Sequence, residues 1–338
     1  MVIEDKLREN ATLYPDKVAL VCGEKSLTYR QLYQAIKDKA DSMGDIRGCL
    51  IPIVAYSTVD FFITYFALHL TGAVAVPLHK DIPAKKLNDY AETLEQGIVP
   101  EEVADILFTT GTTGNAKAVM ISYQTIIANA ENLVLSQGFS HDVTFIINGP
   151  LNHIGSLSKV YPTIYVGGTI HVIDGMKDIK AFFTAIDDAP NKVATFLVPA
   201  AIRILITLWK KELIAVADKI DFVETGAAPL AATDMKLFCE LLPHSRLYNT
   251  YASTETGIIS TYDYNDGANL AGCVGHKMKH SSFFITADGY VACKGKTLMT
   301  GYWNDEEATR NVLKDGVIRT ADLGRIDEKG RLRLLGRG

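Results

Sequence analysis

Short apolar runs recur through the first three-quarters of the chain, separated by stretches with apolar residues three and four apart. The runs at 50–55, 73–76, 106–108, 143–147, 169–173, 194–198, 222–224 and 247–251 are predicted strands. Between them, Ile126, Ile127, Ala130, Leu133 and Val134 make one face of a predicted helix. Ile202, Leu205, Ile206 and Trp209 make another, opening after Pro199. The nearly continuous apolar stretch 61–78 is long enough to raise the question of a membrane span. His69, Thr71 and Gly72 interrupt it and Pro77 closes it, so it reads as a buried helix, 61–70, turning at Gly72 into a buried strand, 73–76. This alternation predicts an α/β fold: stacked, mostly parallel sheets covered by helices.

The pattern changes near residue 265. Short runs follow, broken by glycines, and Asp288-Gly289, Asp315-Gly316 and Lys329-Gly330 read as hairpin turns. We therefore place an α/β core at 1–265 and a small antiparallel, barrel-like β subdomain at 266–338. No internal repeat or low-complexity tract interrupts either part.

Composition narrows the classes. The 338 residues allow two domains, or one large α/β unit with an appendage. A net charge of −5 and the lack of a basic run argue against a nucleic-acid binder or a protein of anionic membranes. The five cysteines, Cys22, Cys49, Cys239, Cys273 and Cys293, are dispersed and lack zinc-ligand spacing. Reduced thiols in a cytoplasmic protein are the expectation. The charged N-terminus MVIEDKLREN has no apolar signal segment.

Residues 106–122 read ILFTTGTTGNAKAVMIS. An apolar run feeds a loop of threonines, glycines and one lysine, and a second apolar run, 118–121, leaves it. Backbone N–H groups, hydroxyls and an ammonium converging in this way suit a polyanion. The loop is not a Walker A motif, because two residues separate Gly114 from Lys117 and Ala118 follows it. Further polar clusters end the predicted strands: Pro150-Leu151-Asn152-His153-Ile154-Gly155, Thr225-Gly226-Ala227-Ala228-Pro229-Leu230 and Asn249-Thr250-Tyr251-Ala252-Ser253-Thr254-Glu255. The carboxyl ends of parallel strands are where α/β proteins bind ligands. Arg319-Thr320-Ala321-Asp322 and Leu335-Gly336-Arg337 follow from the β region.

In this order and spacing the motifs resemble the superfamily of adenylate-forming enzymes: acyl-CoA synthetases, peptide-synthetase adenylation domains and luciferases. The resemblance covers nearly the whole chain. It implies that a carboxylate attacks the α-phosphate of Mg-ATP, pyrophosphate leaves, and a thiol of coenzyme A or a carrier pantetheine takes the acyl group. Thr109, Thr110, Gly111, Thr112, Thr113, Gly114 and Lys117 resemble the family's grip on the β- and γ-phosphates. By the same resemblance Thr254 would bond the α-phosphate and Glu255 would hold Mg²⁺. Tyr251 would stack on adenine, Asn249 would meet its exocyclic amine, and Gly226, Ala227 and Ala228 would form the opposite wall. Asp322 would accept from the ribose hydroxyls, Arg337 would approach the ribose, and His153 would border the acyl pocket.

The chain departs from the family pattern. Asn152 stands where an aromatic is common, so a more polar or more open pocket is expected there. Ala116, Ala118, Ala252 and Ala321 stand where Pro, Gly, Gly and Gly are common. Ala252 is expected to narrow the acyl pocket, and a left-handed backbone at a former glycine would be strained. The short stretch between Pro77 and Ile106 predicts a trimmed sheet. The family continues beyond the position of Gly338 into a smaller domain bearing a catalytic lysine, so the chain is expected to be the large N-terminal domain, impaired alone, or an abbreviated member. The leading expectation is an acyl-CoA ligase. Loading of a carrier protein, a non-catalytic nucleotide-binding module and, distantly, a P-loop ATPase are the alternatives. The acid and the oligomeric state stay open at this stage.

Overall fold

The computed structural model describes residues 2–83, 99–109 and 117–338. Helix α1 (Ile3–Leu13) leads into a hairpin, β1 (Val18–Cys22) and β2 (Lys25–Thr28), and then α2 (Tyr29–Met43). Thr28 and Gln31 close the start of α2 reciprocally. The Thr28 hydroxyl accepts from the Gln31 N–H at 3.3 Å, and the Gln31 carbonyl accepts from the Thr28 N–H at 2.9 Å. This hairpin is absent from the predicted strands. Its first strand owes its place to a distant parallel partner, with Leu20 beside Ile170.

Next come β3 (Leu50–Val54), α3 (Val59–Thr71), β4 (Val74–Leu78), β5 (Val103–Phe108) and β6 (Ala118–Ser122). The apolar stretch 61–78 is thus a buried helix and a buried strand, as expected. Gly72, at φ +74°, ends α3 and donates to the carbonyls of His69 and Leu68. No helix among the described residues is long and apolar enough to cross a membrane. Residues 84–98, on which the expected trimming of this sheet falls, lie outside the described residues.

The middle of the chain alternates helix and strand: α4 (Tyr123–Gln137), β7 (Thr144–Ile147), α5 (Ile154–Tyr165), β8 (Thr169–Val172), α6 (Ile179–Asp188), β9 (Val193–Phe196), α7 (Pro199–Leu208), α8 (Lys210–Ala215), β10 (Ile220–Thr225), α9 (Ala232–Leu241), β11 (Arg246–Ser253) and β12 (Gly257–Asp263). All eight predicted strands fall on observed ones. The eight-stranded sheet has the order β12-β11-β10-β9-β7-β8-β1-β2. Its inner neighbours are parallel, and its outermost pairs, β11 with β12 and β1 with β2, are antiparallel.

The remaining elements are β13 (Cys273–Gly275), β14 (Ser281–Ile285), β15 (Tyr290–Gly295), β16 (Gly301–Tyr302), α10 (Glu306–Val312), β17 (Leu313–Lys314), β18 (Val317–Ile326) and β19 (Leu332–Arg337). Apart from β16, the strands form an antiparallel sheet. The three expected hairpin turns are all present, and Asp315 and Gly316 both take positive φ, as a two-residue turn requires. Strand β16 returns to pair with β6 and completes a five-stranded sheet, β16-β6-β5-β4-β3.

Strand alternation sorts the core into layers. In the eight-stranded sheet, Phe145, Ile147 and Phe222 join a central core with Phe62, Phe66 and Leu133. Ile146, Val193 and Val223 face the opposite way, onto Phe182, Leu205 and Phe238. Ala75 of the five-stranded sheet shares the central core, while Val74 and Val76 pack outward with Trp303. Phe283, Val291 and Ile318 of the antiparallel sheet also join the central core. Helix α4 holds both neighbouring sheets with polar groups. Asn129 accepts from the N–H of Ile258 in β12 at 2.7 Å, and Asn132 accepts from the His280 N–H and donates to Ser281 of β14, both at 2.9 Å.

Candidate active site

Strand β7 lies between β8 and β9, so the chain leaves it in one direction and returns on its other side. Such a switch in strand order opens a crevice at the carboxyl ends. Asn148, just past β7, spans the crevice and donates to Thr195 Oγ1 at 2.8 Å and to the Phe196 carbonyl at 3.0 Å. A cavity of about 470 Å³ opens here, lined by segments following β7, β9 and β10 and by the end of β11. His153, Gly226, Ala227 and Ala252 all line it. A larger cleft, about 700 Å³, lies between β1, β8 and α6 and contains none of the residues expected from sequence. Chemistry rather than size therefore selects the smaller cavity.

Local backbone fixes the walls. A Cβ on Gly226 would stand 2.8 Å from the Thr250 carbonyl oxygen, so only glycine allows β10 and β11 to approach there. Ala227 carries φ +66°, a left-handed conformation that costs an alanine about 1–2 kcal/mol. Strain is thus present, but not where the sequence placed it. Among the described non-glycine residues the left-handed set is Ala227, Asn269, Asn304 and Asp315, which omits Ala118, Ala252 and Ala321. Ala116 lies outside the described residues.

His153 caps the start of α5 and is half-buried. Burial first, and then the neighbouring His79, hold its imidazole below the usual histidine range. The ring is therefore neutral at neutral pH. His79, just past β4, is a site neighbour that the sequence reading missed. Asn152 has a buried carbonyl oxygen without a hydrogen-bond partner among the described residues, but it does not line the cavity. Cavity polarity comes instead from Lys159 and Glu224, an ion pair at 2.6 Å with both side chains 1% exposed. Lys159 is the one charge in the predominantly apolar stretch 154–166, a sequence signal that would have found it; Glu224, with Asp221 three residues before it, carries no such signal.

Tyr251, at the end of β11, donates its hydroxyl to Asp322 Oδ2 at 2.7 Å, and Thr320 Oγ1 lies 3.2 Å away. Burial above all keeps that phenol protonated. Arg337 is 3.4 Å from the other Asp322 oxygen and 74% exposed. Asn249 is buried and donates to the Tyr264 hydroxyl at 2.6 Å and the Cys273 carbonyl at 3.0 Å. Ala228 is exposed beside Ala227.

Beyond Tyr251 the strand enters a tight turn carrying Thr254 and Glu255. Ser253 and Thr256 pin it by exchanging two N–H to hydroxyl bonds, each 3.1 Å. Tyr302 donates to Glu255 Oε1 at 3.1 Å, and Lys117 Nζ stands 4.6 Å above the same ring. Lys117 and Glu255, far apart in sequence, thus meet around Tyr302, which no sequence motif marked. The neck of the threonine-rich loop is closed where Thr109 N–H donates to the Lys117 carbonyl at 3.0 Å. Thr110, Gly111, Thr112, Thr113 and Gly114 lie outside the described residues.

The site therefore holds an aromatic–carboxylate pair, a turn carboxylate and a lysine that both meet Tyr302, and a cavity lined by the Ala252 that lies between them in sequence. No group of three or more His, Cys, Asp or Glu among the described residues could hold a metal unaided. A lone carboxylate suits a cation whose other ligands come from a phosphate chain and water.

The sequence profile of the AMP-binding enzyme family matches residues 7–95 and 86–303. The chain is 26% identical to indoleacetate–CoA ligase of Aromatoleum aromaticum over 410 aligned residues, covering 100% of this chain and 78% of that protein. It is 25% identical to 2-succinylbenzoate–CoA ligase of Bacillus cereus, covering 98% and 77%. Among solved structures, the inhibitor-bound N-terminal domain of FACL13 from Mycobacterium tuberculosis superposes with a TM-score of 0.86 at 21% identity, covering 100% of both chains. O-succinylbenzoate coenzyme A synthetase from Bacillus subtilis, in complex with AMP, gives 0.85 at 20%, covering 98% of this chain and 78% of that one.

Proposed function

The chain belongs to the family of AMP-binding enzymes, and from that membership we propose that it activates a carboxylic acid as its adenylate and passes the acyl group to coenzyme A. The observation that carries this reading is the sequence of groups along one strand end. Tyr251 with Asp322 comes first, then Ala252 on the acid cavity, then Thr254 and Glu255 in the turn. In that order they meet a nucleoside, an acyl group and a phosphate chain.

In this assignment Tyr251 offers a ring to adenine, with Gly226, Ala227 and Ala228 opposite. Asn249 has committed its amide N–H groups, which leaves its carbonyl oxygen for the exocyclic amine. Asp322 and Arg337 hold the ribose. Thr254 donates to the α-phosphate, and Thr109, Lys117 and the loop between them hold the departing pyrophosphate. Glu255 would hold Mg²⁺, which when bound would supply charge neutralisation to the phosphates. His153, neutral, borders the carboxylate without competing for its negative charge. Positioning and charge neutralisation, rather than covalent catalysis, are what this transfer requires.

Acid-dependent exchange of pyrophosphate into ATP tests the proposal on the full protein. Exchange with at least one carboxylic acid is expected, and coenzyme A is expected to divert it to thioester. Asp322→Ala is expected to raise the KM for ATP about 10–100-fold, the worth of about one charge-assisted hydrogen bond to a ribose hydroxyl. Silence with every acid would leave a nucleotide-binding protein instead, and loading of a pantetheine carrier in place of CoA would move the acceptor.

Ala252 gives a second expectation. Ala252 lines the cavity, and glycine there removes one methyl group. Ala252→Gly is expected to raise kcat/KM for bulky acids over short ones by about 3–10-fold. Equal changes for both would show that Ala252 does not shape the pocket.

A further inference from the structure

Lys159 on α5 and Glu224 on β10 lie 65 positions apart and meet at 2.6 Å. They line the same cavity as His153 and Ala252, yet the nucleotide assignment uses neither. A buried polar group left without a hydrogen bond is costly, and one on a cavity wall can be satisfied by a bound ligand. This pair leaves bonds unmade. Among the described residues, Lys159 commits one of its three donors, to Glu224 Oε1, and has the Phe196 ring 5.7 Å away. Glu224 Oε2 is buried and has no hydrogen-bond partner. The cavity wall therefore carries unused donors and an unused acceptor side by side.

We propose that Lys159 and Glu224 form the polar end of the acid pocket and select acids that bear an uncharged hydroxyl or amide group opposite the reacting carboxylate. The inference rests on the adenylation reading above. A hydroxyl accepts from Lys159 and donates to Glu224 Oε2 at once. A second carboxylate would face Glu224, and an ammonium would face Lys159, so either charged end meets a like charge at close range. An acid ending in a methyl group or a bare ring leaves the spare donors of Lys159 and Glu224 Oε2 unmet. Sites built to hydrogen-bond a substrate hydroxyl reject the analogue that lacks it far more strongly than apolar pockets reject a methylene.

Pyrophosphate exchange with matched acids tests this on the full protein. The probes are 6-hydroxyhexanoate against hexanoate, and 3-(4-hydroxyphenyl)propanoate against 3-phenylpropanoate, with adipate and 6-aminohexanoate as charged ends. The wild type is expected to favour at least one hydroxylated acid about 100-fold in kcat/KM. The double variant Lys159→Met/Glu224→Leu is expected to lose or reverse that preference. Removing both charges together leaves neither unpaired, so its melting temperature should stay near that of the wild type. A wild-type ratio below about threefold in both pairs, or a preference for adipate or 6-aminohexanoate, overturns the inference whatever the variant does. An unchanged preference in a folded double variant overturns it as well. In each of those cases exchange itself persists and the adenylation reading stands. Absence of exchange with every acid sinks that reading and this inference together.

Discussion

Glu255→Gln is expected to lower acid-dependent pyrophosphate exchange by about 10²–10³-fold, the cost of losing one preorganised electrostatic contact at a reacting phosphate. Glutamine keeps the size of the side chain and still accepts from the Tyr302 hydroxyl, which now reaches Glu255 Oε1 at 3.1 Å. Only the negative charge goes. The residue is partly exposed in a turn pinned by Ser253 and Thr256, so stability should move by no more than about 0.5 kcal/mol. A magnesium titration sharpens the test, because a variant with a weakened metal site needs more Mg²⁺ for half-maximal exchange. Activity within threefold of wild type at unchanged magnesium demand would remove Glu255 from the metal site.

The second large effect is on stability. His69 is fully buried between two carboxylates, with Nδ1 2.7 Å from Glu4 and Nε2 3.0 Å from Asp105. Tyr65 and Tyr161 donate their hydroxyls to the remaining Asp105 oxygen at 2.9 and 3.3 Å. Burial opposes the imidazolium, but Asp105 and then Glu4 outweigh it and raise the His69 pKa to about 10. The charged ring thus joins α1 and α3 to β5, the central strand of the five-stranded sheet. His69→Leu leaves two carboxylates facing each other without their cation. The expected loss is about 3–5 kcal/mol, or roughly 4–7 °C in melting temperature for a chain of this size.

The same group sets a pH dependence. Its folded pKa lies above its unfolded value, so its contribution is complete below about pH 6.5 and declines as pH rises through about 10. Urea denaturation at pH 6, 8 and 10 should show wild-type stability falling across that window by a few kcal/mol. The His69→Leu variant should show a flatter profile. Parallel profiles for the two proteins would mean that His69 is neutral in the folded chain.

Local pattern carried most of the architecture. Each predicted strand was an apolar run bounded by turn residues, and such a run needs no knowledge of its partner to be recognised. Gly72 and the Asp315-Gly316 turn were legible for the same reason, since positive φ favours glycine and its few substitutes at specific positions. Strand β1 was not legible, because its parallel pairing with β8 spans about 150 residues. Nor was the polar stripe Asn129 and Asn132 on α4. Hydrophobic periodicity marks Ile126, Ala130 and Leu133 as the inward face, and nothing local shows that the adjoining asparagines are buried too.

The candidate site divides in the same way. The sequence by itself determined the contiguous pieces and their order: the loop neck at Thr109 and Lys117, the glycine and alanines after β10, and the run from Asn249 to Glu255. Each is a few adjacent residues whose backbone fixes their relation. Tertiary structure alone decided the pairs: Tyr251 with Asp322, Lys117 with Glu255 around Tyr302, His69 between Glu4 and Asp105, and Lys159 with Glu224. A buried charge is unfavourable by itself and tolerable only beside its partner. That partner lies tens of residues away in the chain, so the meaning of each charge is fixed by the packing of strands and helices.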